Sequence, residues 1–192
     1  MKGTSTILIA PSGTNMNGMV LSNTTITGTD TLGVQGRKSG ITIVSGKTLT
    51  INNLHCLIAR GSYGIYASSP TNTRLVMKGS GTNVIATGGS GAIRNMDELV
   101  LEDGLRITEP VGGYFAGGIL YDASGNVATR ATISGMLGDV NGDGILSSVD
   151  VTALYNYLLN NDSSAIVNGD QDGDGIITSV DVTIVYNILL GN

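Results

Sequence analysis

Short apolar runs separated by Gly, Asn and Ser turns fill the first 137 residues, with no helical stripe and no heptad among them. Leu49-Thr-Ile51 is followed by Cys56-Leu-Ile-Ala-Arg60-Gly61 and then by Gly64-Ile-Tyr-Ala67. The same three runs recur as Leu75-Val-Met77, Asn83-Val-Ile-Ala-Thr87-Gly88 and Gly91-Ala-Ile-Arg94. They recur again as Leu99-Val-Leu101, Leu105-Arg-Ile-Thr108 and Gly113-Tyr-Phe-Ala116. Runs this short, bounded by turn residues, predict strands. Three strands repeating in order, at a period of about 24 to 26 residues, predict a solenoid. Strand-only units point to a parallel β-helix, each coil placing one strand on each of three faces and stacking on its neighbours. A β-sandwich is the rival reading. Thr6-Ile-Leu-Ile9, Met19-Val-Leu21, Thr25-Ile-Thr27 and Ile41-Thr-Ile-Val44 fit further coils less regularly.

Beyond that point the period changes. Val151, Leu154, Tyr155, Leu158 and Leu159 fall at i, i+3, i+4, i+7 and i+8, one apolar stripe of a helix. Val182, Val185, Tyr186, Leu189 and Leu190 repeat it. The offset is 31 residues, and 14 of the 21 positions from Asp139 onward recur unchanged from Asp170 onward.

Each helix is preceded by a loop rich in Asp and Gly. A hard cation takes six to eight oxygen ligands, and a 12-residue loop supplies them from positions 1, 3, 5, 7 (a backbone carbonyl), 9 and 12. In the first loop these are Asp139, Asn141, Asp143, Ile145, Ser147 and Asp150. In the second they are Asp170, Asp172, Asp174, Ile176, Thr178 and Asp181. Gly144 and Gly175 stand at position 6, where the chain turns sharply, and Leu146 and Ile177 at position 8 are apolar plugs for a small core. Position 12 is Asp where the common EF-hand loop has Glu. The shorter side chain still reaches an ion if the following helix sits closer. No long helix precedes either loop, because Ser134-Gly135-Met136-Leu137-Gly138 is short and glycine-rich. These are loop–helix units, and metal binding is expected to supply much of the folding free energy of so small a core.

Charge sharpens the reading. From residue 138 onward there are eight Asp and no basic residue, or −8, whereas the first 137 residues carry ten basic and seven acidic groups, or +3. Two calcium ions would bring the tail to −4 and relieve the repulsion among its carboxylates.

The paired loops resemble a type I dockerin, a family with two such loop–helix repeats, Asp at position 12 and no entering helix. The resemblance covers residues 138–191. It implies a small α module that binds calcium and docks to a cohesin-like domain of a partner protein, in secreted or cell-surface systems that act on polysaccharides. It also implies the partner-reading positions: Ser148, Val149, Tyr155 and Asn156, and their repeats Ser179, Val180, Tyr186 and Asn187. Many dockerins carry Lys or Arg where this chain has Tyr155-Asn156 and Tyr186-Asn187. The alternative is that the tyrosines complete the core between the repeats and the module is a calcium-stapled cap. The first region resembles, more diffusely, the right-handed β-helix repeats of bacterial surface proteins that are carbohydrate-binding or adhesin-like.

Other candidate chemistry is sparse. Asp97, Glu98, Glu102 and Asp103, flanked by Arg94 and Arg106, form the one dense acidic patch; coil corners explain it better than an active site. His55 beside Cys56 lacks partners for nucleophilic catalysis, and Cys56 is expected to be a small buried hydrophobe. One thiol forbids an internal disulfide. Tyr63, Tyr66, Tyr114, Phe115 and Tyr121 are candidates to stack on sugar rings, with turn packing the plainer role.

At 192 residues the chain fits a β region over residues 1–134 and a module over 135–192. Met1-Lys2-Gly3 leads into no signal peptide, and no stretch is apolar enough to span a membrane. A net charge of −5 disfavours nucleic-acid binding. The expected function is a non-enzymatic secreted or surface protein, from the C-terminal part of a longer chain with any catalytic domain upstream. A structural or adhesive stalk with a calcium cap, or a fragment of a polysaccharide-degrading enzyme, are the alternatives.

Overall fold

The structure, a computed structural model, describes residues 6–9, 16–79, 81–143, 145–172 and 176–191. Its first region is a β-solenoid of about three turns. The described strands are β1 (Thr6–Ile9), β2 (Asn17–Leu21), β3 (Thr24–Gln35), β4 (Ser39–Ile43), β5 (Thr48–Ala67), β6 (Arg74–Lys78) and β7 (Asn83–Arg94). β8 (Glu98–Leu101), β9 (Arg106–Glu109), β10 (Tyr114–Ala116), β11 (Ile119–Tyr121) and β12 (Arg130–Ser134) follow.

Parallel pairing stacks equivalent apolar residues into three columns, one per face. Ile26, Ile51, Met77 and Leu101 are successive partners on one face. Leu32, Leu57 and Val84 are partners on the second. Met19, Ile41, Ile65 and Ile93 are partners on the third. The residues at 41, 51, 57, 65, 77, 84 and 93 are fully buried. This decides against a β-sandwich, whose strands would pair antiparallel. The early runs stack as well as the later ones: Thr6–Ile9 pairs with residues 32–35, and Met19 with Ile41. Long strands β3, β5 and β7 turn a corner within their length. Gly61 sits at that corner, where a Cβ would lie 2.8 Å from the Ser39 Cα, and Gly88 repeats it one coil later, 2.5 Å from the Gly91 carbonyl. Only glycine lets the backbone approach that closely.

The third repeat departs from the expected pattern. Leu99-Val-Leu101 stacks in parallel on Leu75-Val-Met77, but the two runs after it do not continue the coil. β12 takes the place beside β7 that was expected for residues 105–108, and it runs antiparallel: Ala131 lies opposite Ala86 and Ile133 opposite Val84. β9 pairs only with the outer edge of β12, Ile107 opposite Ile133. β11 likewise takes the place expected for residues 113–116, with β10 beyond it. The cause is local. Gly117 and Gly118, at φ 55° and 82°, form a two-residue turn with both residues left-handed, the geometry that closes a tight hairpin. The chain therefore reverses instead of advancing, and the last parallel edge is paired: Gly88 N–H donates to the Thr129 carbonyl and Ala92 N–H to that of Ala128.

The acidic patch lies at corners, as expected. Arg74 pairs with Glu98 at 2.6 Å, and Asp103 accepts from the Gly79 N–H at 2.7 Å. Cys56 is half-buried rather than buried, because it alternates with the buried Leu57 along β5; burial pushes its thiol pKa up. Tyr63 and Tyr66 stack on each other with ring centroids 4.6 Å apart, and Tyr114 and Tyr121 at 5.5 Å.

The second region consists of α1 (Ser148–Asn160) and α2 (Ser179–Leu190) packed through Val140, Val151, Ala153, Leu154, Val182 and Val185. Leu146, Ile166, Ile177 and Leu189 pack against this cluster, so the position-8 plugs do join the core. The stripes are only half used. Val151 and Leu154 are buried, but Tyr155, Leu158 and Leu159 are 50%, 38% and 77% exposed. Tyr186 and Leu190 are 51% and 58% exposed. Two short helices cover one flank of each other and leave the other flank open. The tyrosines do not complete an inter-repeat core. Among the described residues no helix is long and apolar enough to cross a membrane.

Candidate metal centre and docking face

Both loops are organised around the carboxylate at position 12. Asp150 Oδ1 accepts from the Val140 and Asn141 N–H groups at 2.8 and 3.2 Å, and Oδ2 from the Ser147 N–H at 2.8 Å. Asp181 repeats this with Gln171 at 2.6 Å, Asp172 at 3.3 Å and Thr178 at 2.7 Å. Both side chains are fully buried. One residue thus ties the start of the loop to its end.

The same aspartates cap the helices. Ser147 is the N-cap of α1 and Thr178 of α2; each side chain accepts from the backbone of the first turn, and Asp150 or Asp181 returns a bond to the cap N–H. Each helix therefore begins inside its loop, at position 10. This brings position 12 close to the loop centre and explains why Asp serves where a longer Glu is usual. The N-terminal end of a helix also favours its negative charge.

The donor set fits a hard divalent cation. Carboxylate oxygens of Asp170, Asp172 and Asp181 lie within 4.8 Å of one another, Asp181 wholly buried. Like charges gather so closely where a cation compensates them. Each carboxylate has about four lone-pair sites, so the N–H bonds to Asp181 still leave acceptor capacity for an ion. Ile176 and Ile145 expose 63% and 64% of their surface, consistent with residues used for their carbonyls alone. Thr178 and Ser147 lie at position 9, partly buried. Asp174, and the turn glycines Gly144 and Gly175, lie outside the described residues.

The first loop is assembled differently. Asn141 occupies position 3, donating from Nδ2 to Asp143 Oδ2 at 3.0 Å, and Asp143 Oδ1 accepts from the Ile145 N–H at 2.7 Å. Asp139 is 3% exposed; Oδ1 accepts from the Gly142 N–H at 2.8 Å, and Oδ2 faces Arg106 of the solenoid at 3.1 Å. No three carboxylates converge here as closely as in the second loop, among the described residues.

The eight positions assigned to partner reading form a second feature. Ser148, Val149, Tyr155, Asn156, Ser179, Val180, Tyr186 and Asn187 are all exposed, four from each repeat. Val149 and Val180 expose 56% and 51% of their surface. The face is apolar at its valines and tyrosines and lies away from the core between the helices.

Residues 137–190 match the model of the dockerin type I domain. No curated protein and no solved structure matches the chain. Dockerin domains bind calcium and cohesins, and proteins that carry them are typically extracellular and cellulosome-associated. The dockerin module here follows the β-solenoid directly.

Two residues that position this dockerin escaped sequence reasoning. Gln171 is buried at position 2 of the second loop; its Oε1 accepts from the Gly138 N–H at 2.6 Å and its Nε2 donates to the Asn168 carbonyl. At the matching position of the first loop, the Val140 carbonyl accepts from the Val167 and Asn168 N–H groups. Each loop is thus bonded to the segment that precedes the other. Position 2 supplies no ligand, so only the departure from the duplication at residues 140 and 171 hinted at a role. Arg106 is the other; its sequence neighbours pointed to a corner charge of the solenoid.

Proposed function

We propose that this chain is a secreted or cell-surface docking protein in a polysaccharide-binding or polysaccharide-degrading system. Its dockerin takes two calcium ions, one per loop, and holds a cohesin-like domain; its solenoid is a non-catalytic stalk. Bound calcium would supply charge compensation and fix the loop carbonyls and carboxylates. Asp139, Asn141, Asp143, Ile145, Ser147 and Asp150 would hold one ion, and Asp170, Asp172, Asp174, Ile176, Thr178 and Asp181 the other. The observation that carries the docking reading is the exposure of both copies of the partner face. Apolar side chains left open in duplicate on a small module mark an interaction surface, and the near-identity of the copies offers a partner two orientations related by a half-turn. Glu98 and Asp103, at corners, are each bonded to the preceding coil, which supports a stalk without an active site.

A specific observation favours a second role alongside the first. Gly104 of the solenoid would place a Cβ 3.4 Å from Val167 and 3.6 Å from the Gly142 Cα. Together with the Arg106–Asp139 pair, this seats the loop side of the dockerin on the end of the stalk. The described stalk contacts use Asp139, Gly142 and Val167, none of them among the eight partner positions, so capping and docking are compatible.

The test is capture of cohesin domains by the full chain, with Ser148, Val149, Ser179 and Val180 changed together to Asp. At least a 100-fold loss of affinity, with calcium binding kept, is expected; unchanged affinity for a captured cohesin would show that the partner reads another face. Glycan arrays test the stalk, and retention of no glycan would remove its carbohydrate role.

A further inference from the structure

The cations of the solenoid are not spread evenly. Arg37 and Lys38 stand at the corner between the second and third faces, and Arg60 stands at the same corner one coil on: Gly36 N–H donates to the Arg60 carbonyl and Ser62 N–H to that of Arg37. Arg94, on the third face of the next coil, lies opposite Tyr66. Residues 35–44, 60–68 and 87–95 build this corner and face over three coils and contain no carboxylate. Among the described residues the ion pairs of the solenoid involve Arg74, Arg106 and Arg130, and none of these four cations. Arg37, Lys38 and Arg60 are exposed and Arg94 partly so. These four charges exceed the whole +3 of the first 137 residues, so the rest of that region carries −1.

Two tyrosines lie among these charges. Tyr63 and Tyr66 are half-buried and stack on each other. From the preceding coil, the Lys38 ammonium stands 5.6 Å from the Tyr66 ring centroid. From the following coil, the Arg94 stem folds back over Gly91, the residue opposite Tyr63; a Cβ on Gly91 would lie 3.4 Å from Arg94 Cδ. Arg94 Nη1 donates to the Ser90 carbonyl at 2.9 Å, which holds the guanidinium and leaves it donors for a ligand.

We propose that this corner and face bind an acidic polysaccharide. The inference deepens the polysaccharide reading above and rests on it; it needs neither calcium nor a cohesin-like partner. Cations of one sign, with no carboxylate beside them to neutralise them, attract a polyanion across about 10 Å of solvent. They stand on successive coils, whose strands lie about 4.8 Å apart, close to the length of one sugar in an extended chain. An acidic polymer laid along the solenoid therefore meets a cation at each coil. The tyrosines between the cations give an apolar strip for sugar C–H faces, which a purely acidic peptide leaves unused. Ser62 and Ser90, exposed at the corner, offer hydroxyls to those of the sugar.

Binding of the full chain to immobilised polymers tests this, with polygalacturonate set against neutral galactan and dextran sulfate against dextran. At least one acidic polymer should be held on the order of tenfold more tightly than its neutral counterpart, and the two pairs show whether carboxylate or sulfate is read. Arg37→Gln, Lys38→Gln and Arg60→Gln together should weaken that binding by on the order of tenfold. Raising salt from about 0.05 to 0.5 M, which shortens the screening length roughly threefold, should weaken it as well. Lys47→Gln with Lys78→Gln removes charge that flanks the first face and should leave binding within about twofold. Equal losses in the two sets of variants overturn the inference, as does polyglutamate held as tightly as the acidic polysaccharide. Neutral polymers held as tightly as acidic ones overturn the inference and leave the polysaccharide reading standing; no polymer held at all overturns both.

Discussion

The solenoid and the dockerin are stabilised in opposite ways. The solenoid stacks Ile on Ile and Leu on Leu through three columns, is nearly free of buried charge, and pairs its main chain from coil to coil. The dockerin buries six apolar side chains in its core but also three wholly or almost wholly buried aspartates, Asp139, Asp150 and Asp181. A net charge of +3 sits on the first and −8 on the second. Hydrophobic burial is indifferent to calcium, whereas gathered carboxylates depend on a cation. The two halves should therefore respond to different perturbations, and that separation can be probed in order of effect.

The largest effect is expected in the solenoid core. Ile65 is fully buried between Ile41 and Ile93, and Ile65→Ala should cost about 2–5 kcal/mol. Thermal unfolding should show an earlier solenoid transition with the calcium dependence of the dockerin unchanged. A matching fall in the dockerin transition would mean that the regions unfold as one unit. Next comes the position-12 carboxylate. Asp181→Ala removes three main-chain bonds and half of a capping box, and should destabilise the dockerin by about 3 kcal/mol from charged hydrogen bonds and the cap. Its second-loop calcium should be lost in calorimetry. Retention of both ions would contradict the ligand assignment.

These two predictions rest on what could be read from the chain. The solenoid was legible because an apolar run returning every 24 to 26 residues (about one coil) needs stacked faces, and the columns 26–51–77–101 and 19–41–65–93 realise it. The direction of the final strands was not legible. Leu105-Arg-Ile-Thr108 carries the same alternation as its predecessors, and alternation is blind to whether a strand runs parallel or antiparallel; the Gly117-Gly118 turn decided it. The gathering of Asp170, Asp172 and Asp181 was legible, because positions 1, 3 and 12 of such a loop converge on one centre. The open flank of the helices was not, since Tyr155 and Tyr186 obey the helical period whether or not anything covers them. Gln171 and Arg106 act at positions the loop pattern leaves free.

Smaller effects sharpen the boundary between the halves. Gln171→Ala leaves the buried Gly138 N–H without its acceptor and should cost about 1–3 kcal/mol, confined to the dockerin in chemical unfolding. The smallest effect is in the antiparallel closure. The Arg130 guanidinium, then the Thr132 hydroxyl, holds the exposed Glu109 carboxyl below its ordinary pKa. The folded pKa lies below the unfolded one, so its contribution is present above the ordinary Glu range and is lost as pH falls through the depressed value. Glu109→Gln should remove that acid-side slope from the solenoid transition and leave stability near neutral pH almost unchanged.

The most direct measurement is the helical circular dichroism of the full chain as calcium is removed by a chelator and restored. The 13 residues of α1 and the 12 of α2 should lose most of their helical signal without calcium and regain it on titration, while the strand signal of the solenoid persists. Helices equally formed in excess chelator and in calcium would contradict the claim that these carboxylate-lined loops depend on the metal.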